Sequence, residues 1–183
     1  MPGSAASVPT LITERLALRP ISIDDAPGLH AAFGDPAAMR FWDFAPTADV
    51  AATADYIARW VGADPDWHGV WAIQTGAGAF AGMLNYHHRE SWNRRLELGW
   101  ILAPAHERRG YMTEAATAVI RHCFERMDVH RIEATIAPEN LSSRRLAARL
   151  GFREEGLMRD RACVEGRFRS LLMCALLKDE WRA

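Results

Sequence analysis

The chain has 183 residues, 49% apolar and 25% charged, with a formal net charge of −1 at pH 7. That length suits one domain that buries its core without disulfides or metal. The charge balance provides no overall basic field for nucleic acid or an anionic membrane. Three cysteines, Cys123, Cys163 and Cys174, lack paired spacing. They read as buried or idle thiols, with no disulfide framework, and a reducing cytoplasm fits. Residues 1–9 carry neither the basic nor the apolar region of a signal peptide and are expected to be flexible. No apolar run approaches the ~20 residues of a membrane span.

In chain order, residues 11–21 read as a strand with Leu16 and Leu18 on one face. Ser22 or Asp24 caps a helix towards Phe33, stopped by Gly34-Asp35-Pro36. An alanine-rich helix covers 48–61, and 62–66 is a loop. Strands over 67–74, 80–88 and 94–102 are joined by short polar turns, which suits antiparallel hairpins. A helix over 110–127, a strand over 131–137 and a helix over 142–150, closed by Gly151, come next. Strands over 157–164 and 168–177 meet at Glu165-Gly166. The order predicts a single α/β (α+β) domain over 1–183, one sheet with helices on its faces. Strand 94–102, helix 110–127 and strand 131–137 form a βαβ unit, so these strands should run parallel.

The chemistry concentrates where that unit turns from strand to helix, at Pro104 to Ala115. A loop there aims successive backbone N–H groups and the positive end of the helix dipole at one spot, an anion site. Gly110 lets the backbone approach a ligand closely. Arg108 and Arg109 add positive charge, and a pyrophosphate is the natural guest. On local grounds a plain solvated turn explains the same residues.

Arg108-Arg109-Gly110-Tyr111-Met112 resembles the coenzyme A pyrophosphate loop of the GNAT acetyltransferases, and the string on to Ala115 resembles the bacterial ribosomal-protein N-terminal acetyltransferases, the RimJ/RimL group. Glu107 and Met112 depart from the family's loop pattern. Thr13 to Pro20, His130 to Ala134, Asn140 to Ser143, Leu146 to Phe152, Glu155 to Asp160 and Gly166 to Arg169 resemble the group in the same order. The resemblance implies a GNAT fold: a mixed, mostly antiparallel sheet, helices on both faces, and a central βαβ unit binding coenzyme A. It implies acetyl-coenzyme A as cosubstrate, no metal, and direct attack by an amine acceptor, foremost a protein N-terminus. It leaves the oligomeric state open, a homodimer included.

Roles follow residue by residue. Glu97, on the glycine side of its strand, stands at the family's carboxylate position and is the candidate general base, with His87 and His88 in reserve; an ordinary strand glutamate paired with Arg94 or Arg95 is the alternative. The family's tyrosine acid is absent, since Ala147 occupies its place; Ser143 matches the serine acid of the RimJ/RimL group, or is simply a helix-start serine. Ile101 and Leu102, by backbone N–H, and Arg108, Arg109, Gly110, Tyr111, Met112, Thr113 and Asn140 are the expected cofactor contacts. Asn140 reads equally as a helix cap. Trp42, Tyr86 and His87 are the expected acceptor side, with Trp67 and Trp92 as further aromatics. His87-His88 and His122-Cys123 lack metal-ligand spacing. The glycines at 76–82 precede a hairpin rather than a helix, so no dinucleotide site is expected. Arg144, Arg145 and Arg149 suit cofactor phosphate or solvent better than RNA. Rival readings are a GNAT acting on a small amine, a non-catalytic acyl-coenzyme A module, and a ribosome-surface protein.

Overall fold

A computed structural model of the chain describes residues 8–182. Eight strands form one sheet: β1 (Leu11–Ile12), β2 (Leu16–Pro20), β3 (Gly69–Thr75), β4 (Phe80–Glu90), β5 (Arg95–Leu102), β6 (Arg131–Ile136), β7 (Arg153–Val164) and β8 (Arg167–Leu177). Their spatial order is β1-β2-β3-β4-β5-β6-β8-β7. Every neighbouring pair is antiparallel except β5 and β6, the two strands of the predicted βαβ unit.

Helices α1 (Ala26–Phe33) and α2 (Val50–Val61) cover one face; α3 (Tyr111–Arg126) and α4 (Leu141–Arg149) cover the other. α3 buries Met112, Ala115, Ala116, Val119, Ile120 and Cys123. Their three- and four-residue spacing makes the apolar stripe that fastens it to the sheet. Asp49 caps α2 by accepting the Ala52 N–H at 2.8 Å, leaving α2 a defined start. The period of two in β5 sends Leu96 and Leu98 under α3 and Ile101 towards α1 and α2.

Several boundaries differ from the sequence reading. The strand expected over 11–21 is two, because Thr13 folds back: its backbone N–H donates to the Leu16 carbonyl at 2.9 Å. β7 starts at Arg153, four residues before the apolar pattern begins, because it is the outer edge strand and its first residues are exposed. Most of the segment expected to be flexible, residues 1–7, lies outside the described residues; at its end Val8 is buried and the Pro9 carbonyl accepts from Trp71 Nε1 at 2.8 Å. Cys123 and Cys174 are buried as read, whereas Cys163 is exposed on β7. Among the described residues no helix is long and apolar enough to cross a membrane.

Candidate active site

The βαβ unit is not a closed ladder. β5 and β6 pair only over Arg95–Glu97 and Arg131–Glu133, although β5 continues to Leu102 and β6 to Ile136. Beyond Glu97 the strands part. The Ala103 N–H donates to Ala81 at 2.9 Å, so counting back by two along the antiparallel ladder puts Ile101 on the β4 side. The Leu98 N–H closes the β5–β6 ladder on Glu133, and the Leu98 carbonyl and the peptide groups of Trp100 and Leu102 therefore turn to the gap. Of the two expected backbone donors, the Leu102 N–H faces the gap and the Ile101 N–H faces β4; the Trp100 N–H faces the gap as well. Backbone groups without a strand partner need a ligand or water. The gap opens into a cavity of about 640 Å³ lined by both strands, the start of α3 and one side of α4.

The α3 start supplies an anion cradle. The first backbone bond of its opening turn runs from the Glu114 N–H to the Gly110 carbonyl at 3.1 Å. The N–H groups of Tyr111, Met112 and Thr113 lie ahead of it, without helical partners, and all three residues line the cavity. Gly110 has φ of 77°, a left-handed turn that glycine makes without strain. Arg15 braces this loop, donating from Nη1 to the Arg109 carbonyl at 3.0 Å and pairing with Glu114 at 2.6 Å. Arg108, Arg145 and Arg149 line the cavity against the single acid Glu107. This excess of cations at a helix N-terminus fits a phosphate-bearing ligand. Arg109 does not line the cavity, and Arg144 is committed to Glu154 at 2.7 Å.

At the α4 start the Asn140 side chain accepts the Ser143 N–H at 3.1 Å. It is therefore the helix cap, and it also lines the cavity. Trp100 Nε1 donates to Ser143 Oγ at 3.4 Å. The Trp100 side chain lies on the α3/α4 face of β5, packed against the same core as α3. Ser143 lines the cavity.

Glu97 sits on the α1/α2 face, 8% exposed. Its Oε1 accepts from Thr135 Oγ1 at 2.5 Å, and its Oε2 lies 3.4 Å from His88 Nδ1 and 3.6 Å from His87 Nε2. Burial pushes the carboxyl up, but the His87 charge, the Thr135 hydroxyl and His88 outweigh it and hold it below the usual carboxylate range. Burial likewise pulls the His87 imidazole below its ordinary value, with Glu97 opposing. Glu97 is not in the cavity lining; Thr135 is. The Thr135 hydroxyl thus stands between the cavity and Glu97. The expected pairing of Glu97 with Arg94 or Arg95 is not made, since Arg94 bonds Asp128 and Arg95 bonds Glu90 and Glu133.

Of the expected acceptor side, Trp42 lines the cavity and packs on Phe33 at 5.7 Å. Arg169 of β8 steadies it by donating to the Arg40 and Trp42 carbonyls at 3.0 and 3.3 Å. His87 is on the Glu97 face, outside the lining. Tyr86 is corrected: the strand period turns it to the opposite face, where it is 3% exposed against Trp71 and donates to the Pro65 carbonyl. Trp67 and Trp92 are on the surface. Sequence reading missed Thr135, Trp100 and Arg15. A lone hydroxyl between the apolar residues of β6 marked Thr135, and the period of two in β5 marked Trp100.

Comparison with known proteins agrees with this architecture. The acetyltransferase (GNAT) domain family matches residues 15–153. The uncharacterized N-acetyltransferase p20 of Bacillus licheniformis is 31% identical over 94% of this chain and 98% of its own. The [ribosomal protein uS5]-alanine N-acetyltransferase of Escherichia coli is 37% identical over 84 residues, 46% of this chain and 43% of its own. Among solved structures, Mycobacterium smegmatis RimJ in complex with CoA-disulfide superposes with a TM-score of 0.81 at 27% identity, covering 90% of this chain and 83% of that one.

Proposed function

This chain belongs to the acetyltransferase (GNAT) domain family and is an N-acetyltransferase, and on that premise we propose that it acetylates the N-terminal α-amine of a protein or peptide. The observation that carries the reading is the gap between β5 and β6, with a helix-start anion cradle at one end and the Thr135–Glu97 pair at the other. Acetyl-coenzyme A fits the cavity: Arg108, Arg145, Arg149 and the N–H groups of Tyr111 to Thr113 would hold its phosphates. The free peptide groups of Trp100 and Leu102 would hold its arm. When bound it supplies the activated acetyl thioester.

This chain's own residues do the rest. Glu97 takes the amine proton through Thr135 or water, and Ser143, oriented by Trp100, gives a proton to the thiolate that leaves as the C–S bond breaks. A carboxyl held low is a weak base, and it suits an amine that needs little help. A peptide α-amine has a pKa of about 7.7–8, against ~10.4 for lysine. The relative named for ribosomal-protein alanine N-acetylation supports a protein as acceptor. The test is thiol release from acetyl-coenzyme A with two acceptor panels, short peptides and small amines. Turnover with free-terminus peptides, abolished by blocking the terminus, is the expected result. Turnover confined to polyamines, amino acids or aminoglycosides would keep the enzyme class and discard this acceptor. Thiol release with neither panel, despite tight cofactor binding, would point to a binding module.

A further inference from the structure

His87-His88 lacks metal-ligand spacing in the sequence, and neighbours on a regular strand would point to opposite faces. The structure brings them together. The β4–β5 register slips between His87 and Glu90, and His88 adopts φ of 51°, a left-handed conformation unusual for a residue other than glycine. The bulge swings the His88 ring beside His87, with centroids 4.8 Å apart, and both face Glu97. We propose that His87 Nε2, His88 Nδ1 and Glu97 Oε2 form a binding site for a divalent transition metal of the zinc class.

The three donor atoms lie within 4.8 Å of one another, and the carboxylate oxygen is 3.4 and 3.6 Å from the two nitrogens. Donors around tetrahedral zinc, with bonds of about 2.0–2.1 Å, stand roughly 3.3 Å apart. Two imidazoles and one carboxylate are a donor set of zinc sites that keep a position open. The outer contacts suit the role. Thr135 fixes the other oxygen of Glu97 at 2.5 Å, the kind of support that orients a ligating carboxylate. The Asn85 amide nitrogen is 3.1 Å from His87 Nδ1, while its buried Oδ1 has no partner. Turning that amide over gives Oδ1 the His87 Nδ1–H and leaves the Nε2 lone pair facing Glu97. His88 is half exposed, so an ion can enter from solvent.

An ion here would take the Glu97 lone pair, so zinc should inhibit acetyl transfer; that arm rests on Glu97 as base, whereas binding does not. The experiment uses chelator-treated protein without a polyhistidine tag. Co2+ is followed by its visible absorption, and Zn2+ by calorimetry. The expected result is saturable uptake of a single ion per chain. Affinity should fall about tenfold or more in His88→Asn and in Thr135→Val, with unchanged circular dichroism. Asparagine tolerates the left-handed backbone at position 88, so that variant should fold. Absence of saturable binding, or binding undiminished in His88→Asn, would overturn the site. Zinc binding that needs His88 but leaves turnover intact would uphold the site and remove Glu97 from its role as base.

Discussion

At Glu97 a carboxylate is taken out of water yet stays ionised, because the Thr135 hydroxyl and two imidazoles surround it. Glu97→Gln keeps the shape and removes the basic oxygen. Steady-state kinetics should show kcat/KM lower by about 10²–10⁴-fold, the usual range for a general base, with binding of acetyl-coenzyme A unchanged. The pH profile follows from the direction of the shift. A carboxyl below its ordinary range is already in its base form throughout neutral pH. The acid limb of kcat/KM should therefore follow the acceptor amine, near 7.7–8 for a peptide terminus. A peptide whose only amine is lysine should move the limb towards ~10.4. A limb that stays put when the acceptor changes would mean that an enzyme group sets it.

The elements divide into those written in local pattern and those fixed by distant contacts. α3 was legible because its apolar stripe and its glycine start are both local features. Asn140 and Gly110 were legible for the same reason. The split between β1 and β2, the bulge at His88 and the early start of β7 were not, since each answers to a partner strand or a sheet edge. The period of two puts Tyr86 and His87 on opposite faces, so both cannot belong to one acceptor side, and the register of β4 shows that His87 is the one beside Glu97. At the α3 start, Gly110→Ala meets no closer neighbour than Arg15 Nη2 at 3.4 Å. Its cost to the fold should be the left-handed backbone, about 1–2 kcal/mol by thermal or denaturant unfolding. The larger effect should be on the KM for acetyl-coenzyme A, because Gly110 lines the cavity and its left-handed turn sets the N–H groups of the cradle. Arg145→Ala with Arg149→Ala should also raise that KM, and raise it less as salt screens the attraction.

Across the whole molecule, burial sets how the fold responds to acid. His68 lies beside Asn85 and is pushed down to about 4 by burial, with the His87 and His88 charges adding to the effect. It stays neutral in the fold while the unfolded chain takes up its proton near pH 6.5. Its contribution is full above that value and is lost as pH falls towards 4. Asp25, Glu114 and Glu155 are held below their ordinary values. Burial opposes the shift at Asp25 and Glu114, and the partners Arg19 and Thr13 with Arg15 outweigh it; at Glu155 the bond from Arg131 leads. Their contribution is present above the ordinary carboxylate range and fades only as pH drops through the lower folded values. The thermal midpoint should thus decline from about pH 6.5 and steepen below about 4.5. His68→Gln should flatten the upper part of that decline and leave the lower part.

The same sheet that buries these groups opens between β5 and β6, and the account of the molecule turns on what is acetylated there. The most direct measurement offers the enzyme acetyl-coenzyme A and a peptide carrying both a free terminus and an internal lysine, then locates the added acetyl by fragmentation mass spectrometry. The account predicts acetyl on the α-amine, with none on the lysine. Acetyl on lysine alone, or peptide left unmodified while a small amine is acetylated, would contradict it.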